Sequence, residues 1–375
     1  MNGKELHQQL NELFEQNPNI DELGLISSRN SAFDSNSAFI LAENNTKIGI
    51  SFSCITELYS YCFNQFNIER KKFTSSHSDQ ILNKSLDLLT RTILFINAEN
   101  ITALNIRKQL ILNGYNEHLK EIKLLNLIFT KHPKSGDAWT HRRWVLTNYK
   151  DSFHNKGSNS EEQTSLSIQD ELKVCKRVAE IYPKNYYAWT HRFYILKNQP
   201  RDILLDDLKT IKDWINRNIS DYCGYHHRYL IITTLIQNDE NQNNNNNNNN
   251  QTQKEQSIDL LRNEIKMIQD LIEFYPGHES PWNYLRTLTR YYCTLDIKDK
   301  EQFLAEQFVF TQKVIQDRDS SYYDKQISYC YRYLITLIYQ LGFSQSAEEK
   351  HQLLNNLKNQ IPNQSEFWEY LESSK

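Results

Sequence analysis

The sequence has few helix-breaking residues, with only nine glycines and seven prolines among 375 residues. This scarcity argues against turn-rich β folds and favours helices. No apolar run approaches the ~20 residues that cross a bilayer, so no membrane span is expected. The polar, amphipathic start of the chain, MNGKELHQQLNELFEQNPN, lacks the apolar core of a signal peptide, and the expected location is cytoplasmic.

An excess of charge of one sign is also missing, because 43 Lys and Arg stand against 46 Asp and Glu without a basic block or an acidic tail. A surface that follows nucleic-acid phosphates usually shows as a clustered basic excess, so nucleic acid is not an expected partner.

The six cysteines are scattered, and no two form a C-x-x-C pair. In a cytoplasmic chain they are expected to be reduced thiols in the core.

Motifs for a complete active site are absent from the sequence. There is no Gly-rich phosphate loop, no G-x-S-x-G elbow and no H-E-x-x-H sequence. His226 and His227 are adjacent, so on a helix they point in different directions and cannot easily share a metal ion. Neither a metal site nor a cofactor is therefore expected on this chain.

What the sequence does contain is an internal repeat. Four prolines each stand six residues before a tryptophan, as Pro133 does before Trp139. Along the chain, this tryptophan position holds Leu104, Trp139, Trp189, Tyr225, Trp282, Tyr329 and Trp368. An arginine follows it by three residues at Arg107, Arg142, Arg192, Arg228 and Arg332.

Apolar residues recur at helical spacing on both sides of each proline. Before Pro183 the predicted stripe consists of Ile168, Leu172, Cys175, Val178 and Tyr182, and after it of Trp189, Phe193 and Leu196. Because one helix pair cannot bury both stripes alone, neighbouring pairs must stack. The pattern predicts an all-α solenoid of helix pairs.

The first 75 residues do not follow the repeat. The segment AFILAENNTKIGIS, from Ala38, predicts a strand, an Asn–Asn turn and a second strand. Residues 1–75 are therefore expected to form a small cap on a helical solenoid over residues 76–375. Two insertions interrupt that solenoid, one over residues 151–165 and an Asn/Gln tract over residues 238–253. The tract has too little apolar surface to order itself and is predicted to be a disordered loop.

The W-x-H-R element of the repeat is predicted to be structural. Its repetition suits packing better than a single reaction centre, with the tryptophan filling the layer between helices. The His and Arg are expected to bond carbonyls or carboxylates of the next repeat. The residues concerned are Trp139, His141, Arg142, Trp189, His191, Arg192, Tyr225, His227, Arg228 and Trp282.

Polar and aromatic residues also gather in the turns, where one helix ends and the next begins. They include Lys134, Lys184, Asn185, Tyr186, Tyr187 and Tyr222. A row of such donors on one edge of a solenoid, near helix N-termini, could hold a diphosphate. The alternative is that they are ordinary solvated turn residues.

The repeated P-K-N-Y-x-x-W-x-H-R elements, with an S-x-W-N-Y-L-R variant, resemble the α-subunit repeats of protein farnesyl- and geranylgeranyltransferases. The resemblance covers roughly Ile93 to Trp368, and the segments NPNIDELGLI, from Asn17, and ILAEN, from Ile40, resemble one branch of that family. It implies a right-handed α–α superhelix that wraps a β subunit. That β subunit is expected to carry zinc, which turns a substrate cysteine into a thiolate that displaces diphosphate from the isoprenoid.

The resemblance also implies which residues of this chain face the isoprenoid diphosphate. Lys134 occupies the place of the catalytic lysine, and Asn185, Tyr186 and Tyr187 occupy the places of a diphosphate-binding trio. Two positions depart from the family pattern: Gly136 stands where the family has a tyrosine, and Tyr187 where it has a histidine.

For this branch, the expected partner is the β subunit of Rab geranylgeranyltransferase, and the expected reaction is geranylgeranyl transfer to a cysteine of a protein substrate. One alternative is a tetratricopeptide-like scaffold without a role in chemistry, which would bind peptides in a concave groove. Another is the Rab-specific α subunit itself. The cap-like N-terminus and the lack of further domains after Trp368 weaken that interpretation.

Overall fold

A computed structural model describes residues 1–27, 37–73, 79–148, 167–243, 248–317, 323–343 and 346–360. The chain divides into two compact units, Met1–Ile195 and Leu196–Lys375. Helices dominate both units, and the only strands in the described ranges lie near the N-terminus. The insertion over residues 151–165 and the last repeat position, Trp368, fall outside the described residues.

The first unit begins with a small sheet between two helices. Its elements are α1 (Gly3–Gln16), β1 (Glu22–Ile26), β2 (Phe39–Ala42), β3 (Lys47–Ser51) and α2 (Phe52–Glu69). β2 and β3 pair antiparallel through a turn with positive φ at Glu43, Asn44 and Asn45, which confirms the predicted strand, turn and strand. The sequence pattern missed β1, which pairs parallel with β3 and also contacts α5, where Leu23 N donates to Thr130 Oγ1 at 2.9 Å.

Three helix pairs complete the first unit. They are α3 (Gln80–Ile96) with α4 (Ile101–Leu112), α5 (His118–Lys131) with α6 (Gly136–Asn148), and α7 (Ile168–Ile181) with α8 (Tyr186–Leu196). Side-chain caps begin several of these helices, including Asp79 for α3, Asn100 for α4 and Ser167 for α7. First helices contact each other from pair to pair, as α3 with α5 and α5 with α7, and α4 likewise contacts α6. The predicted stacking of helix pairs is confirmed within this unit.

One member of the predicted apolar stripe is wrong. Leu172, Cys175 and Val178 are buried in α7, but Tyr182 is 44% exposed. α7 ends at Ile181, and Tyr182 is its C-cap with extended backbone, φ −135° and ψ 97°, so the helical spacing no longer applies there. This leaves the Tyr182 ring at the surface of the turn.

The second unit continues the same pairing. Its helices are α9 (Arg201–Arg217), α10 (Tyr222–Asn243), α11 (Asn248–Phe274), α12 (Glu279–Thr294), α13 (Lys300–Gln316), α14 (Tyr323–Ile335), which runs on as a π-helical turn over Thr336–Gln340, and α15 (Ala347–Gln360). α10 contacts α12, and α12 contacts α14. The prediction of a disordered loop over residues 238–253 is wrong for 238–243, which belong to α10, and for 248–253, which belong to α11, while residues 244–247 fall outside the described residues.

In the last described repeat, the predicted register is wrong by one residue. Tyr329 is only half-buried, and Arg332 lies near the surface, 3.7 Å from Glu279. Cys330 and Tyr333 are buried instead. The Tyr333 hydroxyl makes hydrogen bonds with Thr289 and Gln307, so a phenol serves the core where earlier repeats use an arginine.

Candidate functional site

A buried carboxylate on the first helix of several pairs organises the repeats. Glu171 in α7 accepts two hydrogen bonds from Arg142 in α6, at 2.8 and 2.6 Å, and lies 2.9 Å from His191 Nε2 in α8. All three side chains are fully buried. Two charge-assisted bonds in a fork geometry hold the two helix pairs in one register.

The same arrangement recurs along the chain at constant spacing. Each carboxylate precedes its partner in the second helix of the same pair by 20 residues, and three of the four also accept hydrogen bonds from the arginine of the previous pair. The partners within a pair are Glu121 and His141, Glu171 and His191, Asp207 and His227, and Glu264 and Tyr284. The arginine bonds between pairs are Arg107 to Glu121, Arg142 to Glu171, and Arg228 to Glu264.

These contacts refine the prediction for the W-x-H-R element. Arg107, Arg142 and Arg228 bond the next pair as expected, whereas the histidine bonds the carboxylate of its own pair. Burial raises the pKa of Glu171, but Arg142 and His191 outweigh burial and lower that pKa to about 2. The carboxylate therefore stays charged inside the repeat, and these side chains serve the fold rather than a surface site.

The residues at the tryptophan position are buried, as a packing role requires. Trp139, Trp189, Tyr225 and Trp282 are at most 6% exposed. Trp139 stacks on Phe129 with the ring centroids 3.9 Å apart, and its indole donates to Pro133 O at 3.0 Å. This bond ties Trp139 to the turn before its helix.

Three successive turns of the first unit lie side by side, strapped together by hydrogen bonds. His132 Nε2 lies 2.8 Å from Phe95 O, and Ser135 Oγ donates to Ala98 O at 3.2 Å. Asn185 Nδ2 donates to Pro133 O at 2.7 Å. The turns that follow α3, α5 and α7 therefore form one continuous ledge.

A groove of about 520 Å³ opens on this ledge. It is lined by Ile96, Asn97, Ala98, Glu99, Thr130, Lys131, His132, Pro133, Lys134, Ser135, Ile181 and Tyr182. Lys134 is exposed, and its Nζ lies 3.9 Å from the centroid of the Tyr182 ring. The groove thus brings the predicted catalytic lysine together with Tyr182, which the sequence pattern had assigned to the core.

Asn185 belongs to the framework of the ledge. Its side chain is fully buried. Besides donating to Pro133, it accepts from Tyr187 N at 3.1 Å and Ala188 N at 3.3 Å, which caps α8. With its oxygen engaged by two donors, we assign Asn185 to holding the turn rather than to direct contact with a diphosphate.

The two tyrosines after Asn185 have different surroundings. Tyr186 is 57% exposed, and Tyr187 is half-buried with its ring packed over Gly136. A Cβ atom at Gly136 would lie 3.0 Å from Tyr187 Cε1 and 3.2 Å from the Tyr187 hydroxyl oxygen. The two departures from the family pattern are therefore in contact, because Tyr187 occupies the space that a side chain at position 136 would need.

Lys184 differs from Lys134 in backbone conformation. Its φ is +58°, in the left-handed region, and it is not among the residues that line the groove. The equivalent position in a later repeat, after Tyr275 and Pro276, is Gly277 with φ +84°. The structure thus separates two lysines that look alike in sequence.

The sulfur and metal-ligating side chains show no further centre in the ranges that the structure describes. All six cysteines are free, and five of them are buried. No three His, Cys, Asp or Glu side chains among the described residues group closely enough to hold a metal ion. Within the same ranges, no helix has the length and apolar character that crossing a membrane demands.

Comparison with known proteins shows which family this sequence resembles. Four segments match the protein prenyltransferase alpha subunit repeat, over residues 118–149, 168–199, 204–235 and 261–292. The chain is 32% identical over 303 residues to protein prenyltransferase alpha subunit repeat-containing protein 1 of Homo sapiens, covering 73% of each chain. The Danio rerio protein of the same name is 30% identical over 299 residues, 73% of this chain and 68% of the relative. Geranylgeranyl transferase type-2 subunit alpha of Saccharomyces cerevisiae is 24% identical over 288 residues, 75% of this chain and 80% of the relative.

Proposed function

This chain belongs to the protein prenyltransferase alpha subunit repeat family, and we propose that it is the α-type subunit of a heterodimeric protein prenyltransferase. In this proposal it pairs in the cytoplasm with a prenyltransferase β subunit, that of Rab geranylgeranyltransferase, and takes part in geranylgeranyl transfer to cysteine thiols of target proteins. The chain alone is not expected to be active, since the remaining catalytic groups are expected on the partner.

The observation that carries the proposal is the position of Lys134 on the ledge. Its ammonium lies at a groove formed by three strapped turns, and the α8 N-terminus follows directly after the Asn185 cap. A cation beside helix N-termini is suited to bind a diphosphate. The exposed Tyr186 phenol and the half-buried Tyr187 phenol are further donors at the same helix end.

In the proposed reaction, the cysteine sulfur forms a bond to C1 of the isoprenoid while the bond from C1 to the diphosphate oxygen breaks. The bonding electron pair leaves with the diphosphate, which gains negative charge as it departs. In this proposal, zinc on the β subunit would supply the sulfur as a thiolate after its proton has passed to solvent. Lys134 interacts more strongly with the departing diphosphate than with the bound lipid, so it accelerates the chemical step more than binding.

The first test is association with a named partner. The chain is co-expressed with the prenyltransferase β subunits of its source organism, and the complexes are purified. Their molar masses are measured by size-exclusion chromatography with light scattering. A one-to-one complex with the Rab-type β subunit supports the proposal. Failure to bind any of these β subunits leaves the tetratricopeptide-like scaffold as the better interpretation.

The second test measures chemistry in that complex. Single-turnover geranylgeranyl transfer is followed for wild type, Lys134→Ala and Lys184→Ala. Removing a cation that acts at the transition state typically costs on the order of 10²–10³ in rate, so Lys134→Ala should slow transfer by about that factor. Lys184→Ala is the matched control and should have a smaller effect. Wild-type transfer by an assembled Lys134→Ala complex would remove this chain from the chemistry.

A further inference from the structure

We propose that Tyr182 is the positioning residue for Lys134, a role that rests on the proposed function of this groove. The Tyr182 ring lies in the turn after α7, and Lys134 lies in the turn after α5. The lysine Nζ sits 3.9 Å from the ring centroid, well within the ~6 Å at which a cation–π interaction is significant. The ring thereby fixes a long, flexible side chain at the groove.

The surface position of Tyr182 gives the ring its role. It is 44% exposed at the end of α7, where a core residue would be buried. Ile181 and Tyr182 are the residues that this turn contributes to the groove lining. An aromatic ring that remains at the surface and is covered on one face by an ammonium is better explained by that contact than by packing.

A ring positions the lysine without using up its donors. Within the described ranges, no carboxylate forms an ion pair with Lys134. An ammonium has three N–H groups that can donate hydrogen bonds. The π face of a ring attracts the positive charge but does not occupy all three N–H groups. A carboxylate in place of Tyr182 would neutralise the ammonium, whereas the ring leaves it free to bind an anion.

The two turns are also held in register independently of the ring. Asn185 donates to the carbonyl of Pro133, the residue before Lys134, and Ser135 caps α6 while bonding Ala98 O. Replacing the Tyr182 side chain therefore removes the contact with the ammonium while the strap between the turns remains. A variant at Tyr182 is expected to keep the fold.

The chain supplies a matched control at Tyr275. This tyrosine occupies the same place in its repeat, just before Pro276, and is 46% exposed. The preceding turn, residues 218–221 with the sequence NISD, contains no lysine. Tyr182 and Tyr275 are thus equivalent in sequence context and exposure but differ in whether a lysine stands in the turn before.

The experiment uses the complex of the full chain with its β subunit and measures single-turnover geranylgeranyl transfer. Tyr182→Leu should lower the rate roughly two- to tenfold, the range that a partly exposed cation–π contact supports. Tyr182→Phe should restore most of the rate because it keeps the ring, and Tyr275→Leu should match wild type. The concentration of protein substrate that gives half the maximal single-turnover rate should not change. Tyr182→Gln is a second ring-free variant, used alongside Leu so that the result does not depend on one substitution.

A double-variant measurement separates this role from a general structural one. In a Lys134→Ala background, Tyr182→Leu should have no further effect, because the ring then has no ammonium to position. Additive losses, or a Tyr182→Phe rate as low as that of Tyr182→Leu, would overturn the assignment of Tyr182. A slow Lys134→Ala with a wild-type Tyr182→Leu refutes this inference alone, whereas a wild-type Lys134→Ala refutes the proposed function itself.

Discussion

Arg142 in one helix pair donates two hydrogen bonds to Glu171 in the next, and both side chains are fully buried. Because His191 bonds the same carboxylate, a single glutamate links three helices. Removing one charged side chain from such a group leaves its partner buried without a counter-ion. This lowers the stability of the fold more than the loss of a surface ion pair does. The repeat is therefore held by a small number of residues whose loss should be severe.

The first prediction concerns this carboxylate. Glu171→Ala should lower the free energy of unfolding by about 3–5 kcal/mol, because Arg142 stays buried without its counter-ion. The double variant Arg142→Met/Glu171→Leu should be less destabilised than the sum of the single changes. Denaturant unfolding of the full chain measures both effects. Lys173→Ala, which removes an exposed ion pair to Asp170 on the same helix, is the control and should cost less than about 1 kcal/mol.

The second prediction concerns the left-handed backbone at Lys184. Its φ of +58° is costly for a residue with a Cβ atom, and the equivalent position in a later repeat is Gly277. Lys184→Gly should raise the free energy of unfolding by up to about 1 kcal/mol. Lys184→Ala removes the same charge but keeps the Cβ atom, so it should give no such gain. Equal stability of the two variants would show that backbone strain at this turn is negligible.

The third prediction tests the contact between Gly136 and Tyr187. Gly136→Ala should destabilise the chain by about 1 kcal/mol, because its Cβ would lie 3.0 Å from the Tyr187 ring and the ring must shift. In a Tyr187→Ala background the same change should become neutral or stabilising, since alanine is the better helix residue. Thermal unfolding of the four proteins in this cycle measures the coupling. The same cost of Gly136→Ala in both backgrounds would mean that the two positions do not interact.

Much of this architecture follows from the spacing of residues in the sequence. The six-residue interval between proline and tryptophan predicted the turns and the buried tryptophan position. In the repeat with Pro133 and Trp139, for example, the proline marks the turn and the tryptophan lies in the helix that follows it. The carboxylate partners were missed because a single glutamate in a helix looks like any solvated residue. Their constant 20-residue distance from the histidines, as from Glu121 to His141 and from Glu171 to His191, was the available signal.

Other features depend on contacts that a one-dimensional pattern does not contain. β1 was missed because its parallel partner β3 lies about 25 residues later in the sequence and no tight turn joins them. Tyr182 was assigned to the core because helical spacing does not state where the helix ends. In the last described repeat, the sequence pattern could not identify which residues are buried, because Tyr329, Cys330 and Tyr333 can all occupy a core position.

The final prediction is a pH dependence of stability that arises at His7 in α1. Burial, and secondly the charge of Arg91, lower the pKa of His7 from 6.5 to about 4 in the folded chain. Asn11 Nδ2 lies 3.1 Å from His7 Nε2, and Cys62 Sγ lies 3.3 Å from Nδ1. If the Asn11 amide donates to Nε2, that nitrogen has no room for a proton of its own, which agrees with a neutral ring.

Because the folded-state pKa lies below the unfolded value, the unfolded chain takes up this proton first as the pH falls. The His7 contribution is therefore fully present above pH 6.5 and is lost between about 6.5 and 4, by at most about 3 kcal/mol. Urea unfolding of wild type and His7→Gln at several pH values from 7 to 4 measures this loss, with the difference between the two profiles as the readout. The stabilising contributions of Glu121 and Glu171, whose folded pKa values are about 2, begin to fall below about pH 5, equally in both proteins, and therefore cancel in the difference. The His7→Gln profile should be the flatter one across this window, and parallel profiles would show that His7 titrates as it does in the unfolded chain.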